Sequence, residues 1–248
     1  MPSRAPGRAD LYVPTMEHEP PAAWPPPGLP GGAASDVAEE RFPLAGREVR
    51  ILHPRDGDAL LDELLTEDDP AEDRLPFWAE LWPSGIALAH AVAERPLGGR
   101  RVLELGCGLG LVSVAAALAG ASVLAVDRSP EAVAFTAANA SRNGVELRTT
   151  VCAFDRPGEL LAEAPWDLVL AADVLYDRGN LPVLVALLPQ LVGGSGEVWL
   201  ADPERRLAGA FLAELDAAGW RRERVRSRLD TVAIHRLRRP PGHGGGAG

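Results

Sequence analysis

Short apolar runs alternate with helical patterns along the middle of the chain. The apolar runs are typical of buried parallel strands and cover residues 102–105, 122–126, 147–154, 166–172 and 197–201. The segments between them have the length and composition of helices and cover residues 111–119, 129–142, 181–191 and 206–218. Strands that alternate with helices predict an α/β domain with a mostly parallel sheet and helices on both faces.

The pattern differs on either side of this region. Residues 220–227 and 231–237 predict two adjacent strands that form an antiparallel pair. Towards the N-terminus, residues 49–52 predict a short strand, and residues 58–65 predict a short helix with acids on one side and leucines on the other.

Proline and glycine crowd both ends of the chain, at residues 1–35 and 240–248. Such segments cannot bury enough apolar surface to offset the entropy of ordering, so we expect two disordered tails. Between them, residues 36–75 are interpreted as a short N-terminal extension and residues 76–239 as the main folded domain.

The charge balance narrows the functions that the chain can have. The 35 acidic residues outnumber the 25 arginines, no lysine is present, and the net charge is −10. This balance argues against general nucleic-acid binding, because a basic surface is needed to neutralise phosphates. Residues 221–239 nevertheless hold eight arginines and two acids. Either these arginines cover the solvated faces of terminal strands, or they form a docking face for an acidic partner.

Cysteine and histidine indicate neither a disulfide framework nor a metal site. Cys107 and Cys152 are too few for a disulfide scaffold, which favours a reducing cytoplasm. The five histidines are scattered without ligand spacing, so we expect no metal. The N-terminal segment lacks the apolar core of a signal peptide. The nearly uncharged stretch 109–126 resolves into a helix and a strand, so we expect no membrane segment.

The first strand of the regular region runs into a glycine-rich loop, Glu104–Gly110, with the sequence ELGCGLG. Ligands of open α/β sheets bind at the carboxyl ends of the strands, and glycines let the backbone approach a ligand closely. A dinucleotide fingerprint needs a third glycine, but that position is Leu111 in one frame and Ser113 in the other. Cys107 is interpreted as a small residue that fills the tight loop.

The carboxylate of Glu104 favours a positively charged ligand, because it would lie poorly beside an anionic pyrophosphate. S-adenosylmethionine carries an ammonium and a sulfonium and has no phosphate. Asp127 ends the second strand, where an acid can accept hydrogen bonds from both hydroxyls of a ribose. Phe154 and Asp155 follow at the end of the third strand, where a carboxylate can bind an adenine amino group. Asp155 is equally well explained as a turn residue.

Several motifs in order resemble the class I, seven-stranded S-adenosylmethionine-dependent methyltransferases. They are VLELGCGLG, VLAVD and WDLVLAADVLYD, and the resemblance covers roughly residues 75–238. FWAELWPSG (Phe77–Gly85), the Asp173–Tyr176 segment and Asp202-Pro203 are similar to the group that contains protein-lysine methyltransferases, including the enzyme that acts on the electron-transfer flavoprotein β subunit. The resemblance implies a Rossmann-like, doubly wound, mostly parallel sheet with an antiparallel C-terminal strand, and S-adenosylmethionine as the cofactor.

The resemblance also implies roles for individual residues. Those assigned to the cofactor are Trp82, Glu104, Gly106, Cys107, Gly108, Gly110, Asp127, Phe154, Asp155 and Ala172. Asp173 and Tyr176 are assigned to the substrate side. Two of these positions have a simpler explanation: Trp82 lies four residues after Trp78, which suits two core residues of a helix, and Tyr176 suits an ordinary aromatic at the end of a strand.

The expected chemistry is transfer of a methyl group from the sulfonium to a nucleophile. For a lysine acceptor, the carboxylate of Asp173 would guide the incoming ammonium and Tyr176 would hydrogen-bond the amine; no dedicated base is evident. The expected acceptor is a lysine of a partner protein. A small-molecule N- or O-methyltransferase is the alternative, followed by a cofactor-binding module without catalysis.

Overall fold

The computed structural model describes residues 13–17, 37–55 and 77–239, the first of these ranges by its backbone alone. The strands are β1 (Val13–Glu17), β2 (Val37–Leu44), β3 (Arg47–Pro54), β4 (Arg101–Leu105), β5 (Ser122–Asp127), β6 (Arg148–Val151), β7 (Trp166–Ala172), β8 (Val192–Asp202), β9 (Arg221–Val225) and β10 (Ala233–Arg238). The helices are α1 (Pro83–Ala93), α2 (Leu111–Leu118), α3 (Pro130–Arg142), α4 (Gly158–Ala162), α5 (Asn180–Leu191) and α6 (Arg206–Ala217). Across the described ranges, none of these helices is long and apolar enough to span a bilayer.

Seven of the strands form one sheet in the order β6-β5-β4-β7-β8-β10-β9. The strands from β6 to β8 pair in parallel, whereas β10 runs antiparallel to both β8 and β9. Helices α1, α2 and α3 share one hydrophobic core on one face of the sheet, and α4, α5 and α6 share a second core on the other face. The predicted fold class is confirmed, including the antiparallel pair at the C-terminus.

The central strands are buried on both faces, which explains why they read as unbroken apolar runs. In β4, Val102 joins the core with α1, α2 and α3, whereas Leu103 joins the core with α4, α5 and α6. Successive side chains of a strand point to opposite faces, so every apolar position of β4 has a partner. The polar exception, Glu104, lies near the carboxyl end of the strand, where the sheet opens to a cleft.

Two strand boundaries differ from the sequence prediction. The strand β8 begins at Val192 rather than at residue 197, because the glycine-rich stretch between them forms an irregular, bulged start. A side chain at Gly196 would lie 2.7 Å from the Trp166 carbonyl oxygen, so glycine is needed for this close approach. The strand β6 ends at Val151, where its one neighbour β5 also ends, and residues 154–155 therefore lie in the following turn rather than in the strand.

The strands β1, β2 and β3 form a separate antiparallel sheet. Strand β3 contains the predicted strand at 49–52, whereas β2 was not predicted because acidic residues interrupt its apolar pattern. One of these, Glu39, is buried and pairs with Arg142 of α3 at 2.6 Å. Val13–Glu17 belongs to the expected disordered tail but pairs with β2 through its main chain, which corrects the prediction there. The rest of both tails and the predicted helix at 58–65 lie outside the described residues.

The arginine-rich C-terminal segment is largely neutralised by acids from elsewhere in the fold. The arginines that pair with a carboxylate are Arg222, Arg224, Arg228, Arg236 and Arg238. The most buried of their partners is Glu197 of β8, which is 4% exposed and accepts hydrogen bonds from two of them. This pairing favours the interpretation of these arginines as solvated outer faces of β9 and β10.

Candidate active site

A large cleft opens where β4, β5, β6 and β7 end, which is the edge at which open α/β sheets bind ligands. Its volume is about 1530 Å³, above the roughly 300–1,000 Å³ of most small-molecule sites. Every site residue predicted from the sequence lines it: Trp82, Glu104, Gly106, Cys107, Gly108, Gly110, Asp127, Phe154, Asp155, Ala172, Asp173 and Tyr176. The cleft therefore has room for two ligands side by side.

The loop between β4 and α2 presents bare backbone to this cleft. Gly106, Gly108 and Gly110 have φ angles of 71°, 51° and 82°, a region in which residues with a side chain are strained. The N–H groups of Gly106 and Cys107 both donate to the carbonyl of Val126 at 2.9 Å, which fastens the loop to the end of β5. The glycines are thus required by the path of the backbone.

Glu104 carries an acidic side chain that is almost completely buried, at 2% exposure. The hydroxyl of Ser113, in α2, donates a short hydrogen bond to its Oε2 atom. Burial raises the pKa of Glu104 to about 8, and the hydrogen bond from Ser113 offsets only part of this effect. A positive charge nearby would favour the ionised form, so this carboxyl group suits a cationic ligand.

Asp127, at the end of β5, is held by two backbone N–H groups. Its Oδ2 atom accepts from Gly108 and its Oδ1 atom accepts from Ser129, each at 3.0 Å. Burial raises the pKa of Asp127, although these hydrogen bonds act in the opposite direction. Each carboxylate oxygen has more than one acceptor position, so the fixed side chain retains capacity to bind hydroxyl groups. Ser129 also caps α3 by accepting a hydrogen bond from Ala132 N at 3.2 Å.

The segment after β6 forms a third wall of the cleft. Val151 is 49% exposed, and the ring of Phe154 would lie 3.7 Å from a Cβ atom built on Gly106. Asp155 is exposed in the same turn, and its Oδ1 atom lies 3.8 Å from Nε of Arg156. An apolar strip beside a flexible carboxylate suits a flat heterocycle, and it also suits an ordinary turn, so both interpretations of Asp155 stand.

Three exposed rings surround the other end of the cleft, and we call Phe77, Trp82 and Tyr176 the aromatic mouth. Their exposures are 38%, 38% and 43%. The ring of Phe77 meets that of Tyr176 edge-on at 5.3 Å between centroids and lies 6.3 Å from that of Trp82. The indole N–H of Trp82 donates to the Phe77 carbonyl at 2.7 Å. Exposed rings that pack on one another and edge a cleft are typical of a binding surface.

The two tryptophans before α1 have different positions. Trp78 packs against the core shared by α1, α2 and α3, and its ring centroid lies 5.4 Å from that of Phe135. Trp82 is the residue that precedes α1 and faces the cleft. Core packing therefore explains Trp78, although this residue also lines the cleft, whereas the exposed ring of Trp82 suits a ligand contact.

An ion-paired acid lies beside the aromatic mouth. Asp173, just after β7, has a φ of 57° and forms a short ion pair with Nη1 of Arg205 through its Oδ1 atom. Arg205 is anchored in turn by the buried Asp202, whose Oδ2 atom lies 3.1 Å from the same Nη1 atom. The Oδ2 atom of Asp173 is buried and has no hydrogen-bond partner among the residues of 37–55 and 77–239.

Sequence reasoning missed Arg205, Ser113 and Phe77 as parts of this site. Arg205 lies 32 residues after Asp173, and no periodicity connects the two positions. The nearest sequence signal is the Asp202-Pro203 pair, which resembled the lysine methyltransferase pattern and which carries the second acid of this ion-paired group.

The sheet order, the carboxylate-bearing glycine loop and the acid at the end of β5 together define the domain of a class I methyltransferase. The profile of the lysine methyltransferase family matches residues 76–217, and the chain belongs to that family. Its cofactor, by membership of this family, is S-adenosylmethionine. The family match leaves the N-terminal sheet outside it.

Curated relatives are similar to part of the chain. The electron transfer flavoprotein beta subunit lysine methyltransferase of Danio rerio is 37% identical over 134 residues, which are 52% of this chain and 51% of that protein. The ribosomal protein L11 methyltransferase of Synechococcus sp. is 39% identical over 162 residues, 62% of this chain and 52% of the relative. The chain thus spans about half the length of these relatives.

Solved structures share the fold at low sequence identity. The 16S rRNA N2 G1207 methyltransferase of T. thermophilus, in complex with AdoMet and guanosine, has a TM-score of 0.57 and 17% identity, over 82% of this chain and 51% of that chain. SMU.776, a methyltransferase complexed with SAH, has a TM-score of 0.57 and 12% identity, over 85% and 58% of the two chains. These likenesses concern the fold alone.

Proposed function

We propose that the protein transfers a methyl group from S-adenosylmethionine to the side-chain amine of a lysine in a partner protein. Asp173 lines the cleft beside the aromatic mouth, and the observation that carries this proposal is its Oδ2 atom, which is buried and has no hydrogen-bond partner among the described residues. A buried acceptor without a donor is costly, so a ligand that brings an N–H group to this point is favoured.

The other end of the cleft has the features that the cofactor needs. S-adenosylmethionine supplies a methyl group already activated on a sulfonium and also carries an ammonium. In the proposed assignment, Glu104 and the backbone from Gly106 to Gly110, with Cys107, hold the methionine part. Asp127 holds the ribose, and the remaining cofactor contacts come from Trp82, Phe154, Asp155 and Ala172. The raised pKa of Glu104 supports this assignment, because a buried carboxyl group gains most from a cationic partner.

The acceptor end suits a positively charged side chain. Asp173, held in place by Arg205, would accept a hydrogen bond from the amine, while Tyr176 and Phe77 provide ring faces that attract cations. The acids in the lining are Glu80, Glu104, Asp127, Glu131, Asp155, Glu159, Asp173 and Asp177, against Arg128, Arg156 and Arg205 as bases. This excess of negative charge attracts cationic acceptors and repels polyanions such as nucleic acids.

The acceptor amine must lose a proton before it attacks. The solution pKa of a lysine is about 10.4, so the amine is mostly charged at neutral pH. Removal of the amine from water inside the cleft disfavours its charged form, and Asp173 aligns the remaining N–H group. In this proposal the residues position and desolvate the amine, and the proton leaves to water without a dedicated base.

The relatives favour a protein acceptor. Besides the flavoprotein and ribosomal-protein enzymes, a protein N-lysine methyltransferase of Danio rerio, METTL21A, is 33% identical over 135 residues, 52% of this chain and 62% of the relative. A ubiquinone biosynthesis O-methyltransferase of Xylella fastidiosa is 32% identical over 134 residues, 53% of each chain. The small-molecule alternative therefore has to be tested directly.

The test measures the transfer of labelled methyl groups to the components of a lysate, prepared from cells of the organism whose genome encodes the protein. The purified protein is incubated with methyl-labelled S-adenosylmethionine and lysate, the products are separated by ultrafiltration, and the retained protein is hydrolysed for amino-acid analysis. We expect labelled N-methyllysine in a few protein bands. Asp173→Asn should lower this label about 100-fold, because the amine is no longer aligned, while leaving the affinity for S-adenosylhomocysteine unchanged.

Asp216→Asn is the matched control, since Asp216 is an exposed acid of α6 outside the cleft. It should leave the label unchanged. Label that passes the ultrafilter, or protein label recovered on residues other than lysine, would contradict a lysine acceptor. Full transfer by Asp173→Asn would contradict the role of that carboxylate.

A further inference from the structure

One helix, α3, connects the glycine loop with the N-terminal sheet. We propose that Thr136 and Asn139 are positioning residues for the cofactor: they hold the glycine loop from the side away from the ligand, and Asn139 ties it to Leu52 of β3. This inference concerns S-adenosylmethionine binding and does not depend on the identity of the acceptor. It also gives residues 37–54, outside the family match, a part in the cofactor site.

Thr136 is fully buried under the loop. Its hydroxyl donates to the carbonyl of Gly108 at 3.0 Å and lies 3.3 Å from Sγ of Cys107. The loop is packed tightly against this side chain, because a Cβ atom on Gly110 would lie 2.8 Å from both Cγ2 and Oγ1 of Thr136. The side chain thus fixes the loop both by hydrogen bonding and by contact.

Asn139 follows one turn later on the same face of α3 and is also fully buried. Its Nδ2 atom donates to the carbonyl of Leu109 at 2.8 Å and to the carbonyl of Leu52 at 3.0 Å. Its Oδ1 atom accepts from the Leu52 N–H at 2.7 Å. One amide group therefore uses both of its donor hydrogens and its acceptor to join the loop to β3.

Asn143 repeats half of this arrangement on Arg50. Its Oδ1 atom accepts from the Arg50 N–H at 2.9 Å, and its Nδ2 atom donates to the Arg50 carbonyl at 2.7 Å. Four residues of a helix rise about 6.0 Å, and two residues of a strand rise about 6.4–6.8 Å. The spacing of Asn139 and Asn143 therefore matches the spacing of Leu52 and Arg50 along β3. Their side-chain amides make the hydrogen bonds that a further strand would make at this edge of the N-terminal sheet. Within the described residues, the side chain of Asn143 bonds to Arg50 and Asn139 and not to the glycine loop, so Asn143 is a suitable control.

The consequence is a loop whose conformation is set before the ligand binds. The carbonyl groups of Gly108 and Leu109 are satisfied by α3, and the N–H of Gly108 is satisfied by Asp127. Without the side chains of α3, the buried carbonyl group of Leu109 and the partly buried carbonyl group of Gly108 would lose their donors and the loop would have to reorganise. A loop held in its binding conformation loses less entropy when the cofactor binds.

The experiment measures the dissociation constant of S-adenosylhomocysteine by calorimetry with the full chain. Thr136→Val keeps the shape and removes the donor, whereas Thr136→Ser keeps the donor. We expect about tenfold weaker binding for Thr136→Val and for Asn139→Ala, the scale of groups that orient a ligand's direct contacts. Thr136→Ser and Asn143→Ala should stay within about twofold of the unmodified protein.

Thermal unfolding of each variant shows whether it is folded at the temperature of the titration. Asn143→Ala is expected to lower the melting temperature without weakening the ligand, which separates stability from positioning. Equal weakening by Asn139→Ala and Asn143→Ala would overturn the role of Asn139 and assign the effect to loss of the sheet contact. Thr136→Val with unchanged affinity would overturn the role of Thr136 even if Asn139→Ala did not fold.

Discussion

The two ends of the cleft are built in different ways. At the end formed by β4 and β5, backbone groups, the buried carboxyl group of Glu104 and the partly buried carboxyl group of Asp127 make the surface. At the other end, the aromatic mouth and the Asp173–Arg205 pair make the surface, and their rings are more than a third exposed. The first end comes from one short stretch of chain with its neighbours, whereas the second joins segments that are distant in sequence.

This difference indicates which end of the cleft has its geometry fixed before a ligand binds and which end can change its geometry on binding. The loop of the first end is held by hydrogen bonds to β5 and α3, so its geometry is fixed before a ligand arrives. The second end relies on side chains at the surface, where rotamers and ion pairs can rearrange when an acceptor binds. We therefore expect mutations at the first end to change cofactor affinity and mutations of the Asp173–Arg205 pair to change transfer alone.

The largest effect is expected from Gly110→Ala, which disrupts the glycine loop at the end of the cleft formed by β4 and β5. The residue has a φ of 82°, and its new Cβ atom would lie 2.8 Å from Thr136, so the loop must shift. In a well-positioned site, a displacement of about 1 Å lowers the catalysed rate roughly 100-fold. We expect the affinity for S-adenosylhomocysteine, measured by calorimetry, to fall by at least about 100-fold.

Gly85→Ala is the control for this change. Gly85 also lines the cleft, but it lies in α1 and its Cβ atom would meet nothing within 4 Å. We expect unchanged affinity and a slightly higher melting temperature, because alanine is favoured over glycine in a helix by about 0.5–1 kcal/mol. Similar losses in both variants would show that the loop conformation is not what the cofactor requires.

A smaller effect is expected from Arg205→Met, which breaks the acceptor end. The substitution leaves Asp173 without its ion-pair partner, so the carboxylate is no longer held in place. We expect methyl transfer into lysate protein to fall about 10- to 100-fold at saturating cofactor, with S-adenosylhomocysteine affinity unchanged. Arg205→Lys should recover part of the activity.

Arg206→Met is the matched control, because Arg206 is the next residue, is exposed, and does not line the cleft. It should behave like the unmodified protein. If Arg205→Met lowers cofactor affinity as much as it lowers transfer, the separation between the two ends of the cleft does not hold.

The smallest expected effect is a change of about tenfold per pH unit in the affinity for S-adenosylhomocysteine, and it depends on Glu104. Its pKa of about 8 keeps the buried carboxyl group mostly protonated at pH 7. The ammonium of S-adenosylhomocysteine favours the carboxylate, so binding should release close to one proton and strengthen as the pH rises from 6 to 8. Calorimetry in two buffers with different ionisation enthalpies measures this proton directly.

Glu104→Gln should remove both the proton release and the pH dependence of binding.

The unmodified protein without ligand should also show the raised pKa of Glu104 in its stability. Its folded state binds more protons than the unfolded chain between pH 4.5 and about 8, so its free energy of unfolding should fall as the pH rises through that range. Binding that takes up no proton and releases none would exclude a cationic group beside Glu104.

Much of the fold was predictable because its signals are local. Buried parallel strands read as apolar runs, and glycines marked the loop at Glu104–Gly110, so the order of strands and helices and the predicted cofactor residues followed from the chain. The errors lie where pairing overrides local pattern. Acidic β2 is stabilised by its partners in β3 and α3, and glycine-rich β8 begins early because β7 pairs with Val192.

By itself, the sequence determined the class of fold, the glycine loop that lines the cleft and the acids at the ends of the strands, because each depends on residues close together in the chain. The tertiary structure alone decided that Arg205 pairs with Asp173, that Phe77 joins the aromatic mouth, and that Asn139 ties the glycine loop to Leu52. These contacts join residues from 30 to 99 positions apart, and only the packing of helices on the sheet brings them together.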